Sequence, residues 1–285
     1  MGNMPFAKSK KSLFAVVAGL SLAATLALTG CAGSNSASSG DLATITAGKL
    51  TIGTGQPAYE PWVVNNDPSN GQGFESAVAY AVAANLGFAK KDVVWVRTTF
   101  DEAIAPGAKN FDFNLQQFSI TDARKKAVDF SSPYYSTTQT VITLKGSKAY
   151  SVTNLAGLKS LVIGAAAGTT SYNAITDVIK PTSQAQAFNS NDDAVAALKS
   201  GQIDALVVDL PTAIYETSAD LTDGRIIGQL AGTTAGGDQF GLVLDKGSSL
   251  TSKVSAAVDA LKADGTLAKL ETKWLADYAK APVLN

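Results

Sequence analysis

Two chemically versatile residue types are scarce in this chain of 285 residues, and their scarcity limits the chemistry that it can perform. There is no histidine, which excludes Ser-His and Cys-His nucleophile pairs and histidine-ligated zinc sites. There is one cysteine, Cys31, so an intramolecular disulfide cannot form. Any charged site must therefore be built from arginine, lysine and carboxylates, and we expect neither a metal nor a cofactor.

Two segments place polar groups where α/β proteins commonly bind ligands. Asp209 follows an apolar strand predicted at residues 205–208, and open α/β sheets bind ligands at the carboxyl ends of strands. Residues 168–170 (Gly-Thr-Thr) precede a predicted helix, so their backbone N–H groups and the positive end of the helix dipole suit a carboxylate. Both segments also have a simpler interpretation, because Asp209 could cap the helix that contains Pro211 and Gly-Thr-Thr could be only a helix cap.

The elements that must position these groups follow from the apolar pattern, which alternates between strand-like and helix-like segments and predicts an α/β protein with largely parallel sheets. Strands are predicted at 50–53, 93–97, 161–165, 205–208 and 240–244, with another beginning at 111–113. Helices are predicted at 74–86 with Gly87 as its C-cap, 169–179, 192–199 with Asn191 as its N-cap, 250–261 and 267–278. The net charge of −1 gives no reason to expect nucleic-acid binding.

The N-terminus has the pattern of an export signal. Lys8, Lys10 and Lys11 precede an apolar run at residues 13–28, which is shorter than the roughly 20 residues that span a membrane. The run ends in Leu-Thr-Gly-Cys31, which resembles the bacterial lipobox. In that family of signals, cleavage occurs before the cysteine, whose thiol takes a diacylglycerol and whose new amino group is often acylated, for example by palmitate. We therefore expect a signal peptide at 1–30, a lipidated Cys31 and tether at 31–47, and a location on the extracytoplasmic face of the cell membrane. A plain signal peptide or an uncleaved anchor is the alternative.

A stretch in the middle of the chain carries a more specific signature. Residues 118–124 read FSITDAR and residues 128–135 read VDFSSPYY. They resemble the pattern S/T-I-T-x-x-R, then V-D-F-S-x-P-Y-Y, of the polar amino acid-binding proteins of ABC importers. Further matching segments occur in that family's order at 56–62, 73–75, 201–205 with Asp209, and 264–267 with Lys273 and Trp274. The resemblance extends over residues 48–279.

This resemblance implies a fold: the two-lobed α/β periplasmic-binding-protein type II fold, monomeric, with two crossover segments as a hinge and the ligand in the interlobe cleft. The crossovers would lie near 136–140 and 234–239. Lobe 1 would then comprise residues 48–137 and 236–285, and lobe 2 residues 138–235.

The resemblance also implies how the ends of an α-amino acid would be held. Arg124 would bind the ligand carboxylate, as a planar guanidinium can with two parallel hydrogen bonds. Ser119 would bond the ammonium or carboxylate, Gln117 would contribute its backbone or side chain, and Thr170 would complete the carboxylate grip. Asp209 would pair with the ammonium.

The ligand side chain would meet a different set of residues. Tyr59 and Phe100 align with aromatic residues that wall the pocket, although core packing is the alternative for both. Gln56 and Glu75 align with positions that carry side chain-reading acids in some relatives, but Gln56 departs from a common aspartate there. Basic and neutral polar amino acids both stay open as ligands.

The predicted function is an exported solute-binding protein that closes on a polar or basic L-amino acid and delivers it to an ABC permease and its ATPase. Two alternatives stay open. One is a lipoprotein that presents an amino acid to a receptor. The other is an enzyme on the same fold, similar to cyclohexadienyl dehydratase, although no paired acid and base are apparent in the sequence.

Overall fold

The structure is a computed structural model that describes residues 42–231, 237–275 and 281–284. The predicted signal peptide, the predicted lipidation site at Cys31 and most of the predicted tether lie outside these residues. Within the described ranges, no helix combines the length and the apolar character needed to cross a membrane.

Strands and helices alternate along most of the described chain. The strands are β1 (Leu50–Gly55), β2 (Val93–Thr98), β3 (Phe113–Asn114), β4 (Val128–Phe130), β5 (Tyr135–Thr137), β6 (Gln139–Leu144), β7 (Ile163–Ala166), β8 (Gln186–Phe188), β9 (Ala205–Asp209), β10 (Gly224–Leu230), β11 (Asp238–Phe240), β12 (Val243–Asp245) and β13 (Val283–Leu284). The helices are α1 (Phe74–Asn85), α2 (Phe100–Ile104), α3 (Leu155–Leu158), α4 (Thr170–Ala174), α5 (Asn191–Lys199), α6 (Leu210–Tyr215), α7 (Thr251–Ala263) and α8 (Thr266–Leu275).

The first sheet has five strands in the order β2-β1-β3-β12-β4. Its core contains buried aromatic side chains, among them Trp62, Phe74, Tyr134 and Phe240, and each burial contributes about 2–3 kcal/mol. Helices α1, α7 and α8 add their apolar faces to the same core. Gly87, with a φ of 87°, follows the C-terminus of α1 in the left-handed region, as the sequence predicted.

The second sheet has six strands in the order β13-β10-β6-β9-β7-β8. Successive residues of a strand face opposite sides, so Val141 and Ile142 of β6 enter two separate aliphatic clusters, one on each face. In this sheet β6 runs antiparallel to β9 and β10, and in the first sheet β12 runs antiparallel to β3 and β4. Both sheets are therefore mixed, whereas the sequence pattern predicted largely parallel ones.

A two-stranded antiparallel ribbon of β5 and β11 links the sheets. Thr137 pairs with Asp238, Ser136 with Gln239, and Tyr135 with Phe240. After Thr138, β6 begins the second sheet, and β12 follows β11 into the first. The ribbon lies close to both predicted crossovers, although residues 232–236 of the second are outside the described ranges.

Two local predictions were wrong. The N-cap of α5 is Ser190, whose Oγ accepts from the Asp193 N–H at 3.1 Å, so Asn191 is the first helical residue instead of the cap. The single strand predicted at 240–244 is divided, because Phe240 ends β11 while Val243 begins β12. The chain changes sheets between them, with the Gly241 N–H bonded to the Phe118 carbonyl.

The last described residues also differ from the prediction that residues 236–285 return to lobe 1. β13 pairs in parallel with β10 of the second sheet, and Leu284 is buried in one of its aliphatic clusters. Gln229 holds this segment, since its backbone N–H donates to Pro282 O at 2.7 Å and its amide donates to Ala281 O at 2.6 Å. The chain thus leaves α8 and ends its described part on the other sheet.

Candidate functional site

A cavity of about 400 Å³ lies between the two sheets. All nine residues that the sequence nominated line it: Gln56, Tyr59, Glu75, Phe100, Gln117, Ser119, Arg124, Thr170 and Asp209. The first seven precede the β5–β11 ribbon in the chain and belong to the part built on the first sheet. Thr170 begins α4 and Asp209 ends β9, so both project from the second sheet.

A buried carboxylate fixes Gln117 at the cavity wall. Gln117 has a φ of 51°, in the left-handed region that non-glycine residues seldom adopt. Glu75 accepts hydrogen bonds from its backbone N–H at 2.8 Å, from its side-chain amide and from the Tyr134 hydroxyl. Burial raises the pKa of Glu75 to about 7 despite these donors. Both oxygens of Glu75 are thus engaged by the protein itself, which makes it a support for Gln117 instead of a free reader of ligand charge.

Arg124 lies at the junction of the two halves of the cleft. Its guanidinium donates to the Ser119 carbonyl at 2.8 Å and to the Gly168 carbonyl at 2.9 Å, and it stacks 5.1 Å from the Phe100 ring centroid. Burial lowers the pKa of Arg124, whereas the charges of Asp209 and Asp238 oppose this change. The group remains a cation fixed at the cavity wall.

Ser119 and Thr170 meet across the cleft, with 3.1 Å between their hydroxyl oxygens. Ser119 is held in place by a bridge to Phe240 beside the ribbon. Thr170 follows Thr169, whose Oγ1 caps α4 by accepting from the Tyr172 N–H at 3.2 Å. The Gly-Thr-Thr segment therefore caps a helix and faces the cavity at the same time.

Asp209 belongs to a buried polar cluster that sequence reasoning did not find in full. Gln139 Nε2 donates to Asp209 Oδ1 at 2.8 Å and to Asp238 Oδ2 at 2.7 Å, and lies 3.2 Å from Thr170 Oγ1. Burial, and next the charge of Asp238, raise the pKa of Asp209 to about 8, against the opposing effects of Gln139 and Arg124. Gln139 and Asp238 were missed because each is one of several polar residues around the start of a strand, with no motif to single it out. Their positions beside the predicted crossovers were the available signal.

Tyr59 lies at the exposed edge of the cavity and reaches across it. Its hydroxyl donates to Asp192 Oδ2 at 2.5 Å, and its ring lies 6.5 Å from that of Tyr215. Burial and the hydrogen bond to Asp192 raise the pKa of Tyr59. This position agrees with a wall residue that contacts both halves of the molecule.

The lining is acidic on balance. Among the described residues that line the cavity, four are acidic (Glu75, Asp101, Asp192 and Asp209) and Arg124 is the one base. The described ranges contain no group of three His, Cys, Asp or Glu side chains arranged to hold a metal ion. One fixed cation opposite several carboxylates suits a small zwitterion, with or without an additional positive charge.

Comparison with known sequences decides the family. Residues 50–277 match bacterial extracellular solute-binding proteins, family 3. The chain belongs to this family. Membership confirms the family resemblance that the sequence motifs carried, and with it the predicted class of solute-binding protein.

Individual family members show the same similarity. The ABC transporter glutamine-binding protein GlnH of Bacillus subtilis (strain 168) is 32% identical over 214 residues, covering 73% of this chain and 75% of the relative. The L-arginine-binding protein of Pseudomonas aeruginosa is 29% identical over 225 residues, covering 77% of this chain and 85% of the relative.

Solved structures of the family share the fold. An ancestral arginine-binding protein bound to glutamine superposes with a TM-score of 0.67 at 31% identity, covering 81% of this chain and 99% of the other. An ancestral amino acid-binding protein described as a precursor of cyclohexadienyl dehydratase superposes with a TM-score of 0.63 at 30% identity, covering 80% of this chain and 95% of the other. The predicted two-lobed α/β fold is thereby confirmed.

Proposed function

We propose that this family member captures a polar or basic L-amino acid outside the cytoplasm and delivers it to an ABC importer. The observation that carries the proposal is the shared cavity of Arg124 and Asp209, a fixed cation and a carboxylate that come from opposite halves of the molecule. An α-amino acid carries the complementary charges on one carbon, and burying it requires that both be paired. The similarity to a glutamine-binding protein and an L-arginine-binding protein supports the ligand class.

In this proposal the ligand carboxylate meets Arg124, Ser119 and Thr170, and the ammonium meets Asp209 and the backbone beside Gln117. The side chain then points towards Gln56, Tyr59 and Phe100. The acidic residue Asp192 at the edge of the cavity favours a basic side chain. No basic residue of the described lining other than Arg124 could meet a second carboxylate, which disfavours glutamate and aspartate.

The proposed mechanism is closure of the two lobes about the β5–β11 ribbon. We assign residues 48–137 and 237–275 to lobe 1 and residues 138–231 with β13 to lobe 2. A ligand that contacts Arg124 on one lobe and Asp209 on the other binds the closed form better than the open form. Only such a difference in affinity can shift the conformational equilibrium.

The partners follow from the same proposal. A permease and its ATPase would receive the closed, loaded protein, and acyl chains on Cys31 would hold the protein at the extracytoplasmic face of the membrane after removal of the signal peptide at 1–30. We assign no catalytic role to the site, and we expect the protein to act as a monomer.

Calorimetric titration tests the proposal. The full chain, purified in detergent and dialysed free of carried-over ligand, is titrated with the common L-amino acids and a few cyclic acids. We expect tight binding of one polar or basic amino acid, and loss of on the order of a hundredfold or more in affinity for Arg124→Ala and for Asp209→Ala. Arg225→Ala is the control, because Arg225 stacks on Tyr150 away from the cavity. Conversion of a cyclic acid, or binding of none of the amino acids, would overturn the proposal.

A further inference from the structure

Gln139 contacts residues that are proposed to bind the two charged groups of the amino acid. It is the first residue of β6, two positions after the hinge strand β5, and its side chain is completely buried. Its amide nitrogen lies within hydrogen-bonding distance of Thr170, which faces the proposed ligand carboxylate, and of Asp209, which faces the ammonium. It also bonds Asp238 at 2.7 Å, and Asp238 pairs with Thr137 in the ribbon.

The donor capacity of this amide is fully committed to the site. The nitrogen has two hydrogens for three acceptors, so one bond is shared. The amide oxygen is buried, and no group in the described part of the chain bonds it. An unpartnered buried carbonyl is costly, and a residue chosen only for core stability would not be expected to carry one.

The structure therefore points to Gln139 as a positioning residue: we infer that its amide fixes Asp209 and Thr170 at the spacing of an amino acid's two charged groups and links both to the hinge through Asp238. This inference rests on the proposed function. Gln139 does not line the cavity, so it acts through its neighbours instead of by touching the ligand.

The electrostatic setting gives the inference a measurable consequence. Asp209 faces Arg124, Asp238 and the amide of Gln139, and the phenols of Tyr134 and Tyr135 also feel its charge. The hydrogen bond from Gln139 favours the ionised form of Asp209, while the charge of Asp238 disfavours it. Because an ammonium group binds the ionised form, the affinity for an amino acid falls as the pH drops through the pKa of Asp209.

Removing either neighbour should move this pH profile, in opposite directions. Gln139→Met keeps the approximate size of the side chain but deletes the donors, so the pKa of Asp209 rises and the profile moves to higher pH. Asp238→Asn deletes the opposing charge, so the pKa of Asp209 falls and the profile moves to lower pH. A merely structural role would lower the affinity by the same factor at every pH.

The experiment measures the dissociation constants of L-arginine and L-glutamine by calorimetry at several values between about pH 6 and about pH 9. Each variant is compared with the wild type at the same pH, so titration of the ligand itself cancels. Gln186→Met is the matched control, since Gln186 is a partly buried amide of the same sheet that bonds Gln202 and lies outside the cavity. Thermal unfolding of every variant checks that the fold is retained.

We expect Gln139→Met to weaken binding about tenfold or more near pH 6 and by a smaller factor near pH 9. We expect the affinity of Asp238→Asn to improve relative to the wild type as the pH falls, and the affinity of Gln186→Met to remain within about twofold of the wild type throughout. A Gln139→Met loss that is equal at all pH values, or equal to that of the control, overturns the inference and leaves the proposed function standing. If Gln139→Met fails to fold, Asp238→Asn decides, and relative weakening at low pH overturns the inference. Failure of the wild type to bind either amino acid overturns the proposed function as well.

Discussion

The two halves of the cleft hold their site residues in different ways. On the first-sheet side, Gln117 is fixed by the buried Glu75, and Ser119 is fixed by its bridge to Phe240. On the second-sheet side, Thr170 and Asp209 are held by side-chain hydrogen bonds that converge on Gln139. The first half of the site is therefore organised by one buried carboxylate and a backbone bridge, whereas the second depends on an amide and its polar neighbours next to the hinge.

The hydrophobic cores of the two sheets also differ, in the kind of side chain that fills them. The first combines aromatic rings in edge-to-face and tilted contacts, with Trp62 and Phe74 at 6.0 Å and Phe74 and Tyr135 at 5.4 Å between ring centroids. The second is formed by aliphatic clusters on the two faces of its sheet. Large interlocking rings leave few alternative arrangements, so we expect the first half to be the rigid partner in ligand capture and the second half to adjust.

The largest effect should come from removing the carboxylate that organises the first half. Glu75→Leu leaves the Gln117 N–H and the Tyr134 hydroxyl without their acceptor in a buried site. We expect a loss of about 3–5 kcal/mol in the free energy of unfolding, measured by urea denaturation. Glu75→Gln, which retains an acceptor oxygen, should lose clearly less. A loss below about 1 kcal/mol for Glu75→Leu would break the contrast between the two halves.

The same residue should also be visible in the pH dependence of stability. Burial raises the pKa of Glu75 from 4.5 to about 7, so the folded state binds its proton more tightly than the unfolded state. Its contribution to the free energy of unfolding is constant below pH 4.5, decreases by about 3 kcal/mol as the pH rises to 7, and is constant above.

Glu75→Gln should lack this component, which appears as the difference between the urea-derived pH profiles of variant and wild type. Asp209 and Glu216 also have raised pKa values, but both proteins contain them and the subtraction removes their effect. Parallel profiles between pH 4.5 and 7 would show that Glu75 is ionised without cost in the fold.

A smaller effect is expected in the second half. Leu284 of β13 is 3% exposed and completes an aliphatic cluster, so Leu284→Ala should lower the free energy of unfolding by about 2 kcal/mol, near the low end for such truncations because the strand is short. Its neighbour Val283 is 54% exposed, and Val283→Ala should change little. Equal effects of the two substitutions, in the same urea titrations, would mean that β13 does not belong to this core.

The smallest effect should be at the edge of the cleft, where the two halves touch through Tyr59. Tyr59→Phe deletes the hydroxyl that donates to Asp192, and we expect ligand affinity to fall roughly two- to tenfold, corresponding to one hydrogen bond. Tyr80→Phe is the matched control, because the Tyr80 hydroxyl bonds Ser69 within the first half. Calorimetry that finds both variants equal would remove Tyr59 from the contacts that favour closure.

Local pattern was enough to predict the elements with strong periodicity. The Ala-rich run of α1 and the β-branched run of β2 each form the predicted element, and Asp209 ends its predicted strand. The family resemblance made it possible to nominate residues from distant segments of the chain, and all nine nominated side chains line one cavity. Their contacts with a ligand remain a prediction.

Other features depend on contacts that are distant in the sequence, and no local pattern predicts them. β13 has two residues, which is too short for any period to show, and it is a strand only because β10 pairs with it. The polar cluster around Gln139 joins residues 70 and 99 positions apart. Asn191 and Ser190 are both good N-caps by residue type, so propensity alone does not decide between them, and the structure has Ser190 as the cap.

The position of β13 offers a pair of labelling sites for fluorescence energy transfer. Leu42, at the start of the described chain, is buried in the core of the first sheet, whereas Leu284, near its end, is buried against the second. A donor fluorophore next to Leu42 and an acceptor next to Leu284 would therefore be attached to different cores, and the transfer efficiency between them would report the proposed opening and closing. If both ends of the chain were attached to one lobe, the same pair of dyes would be insensitive to the motion.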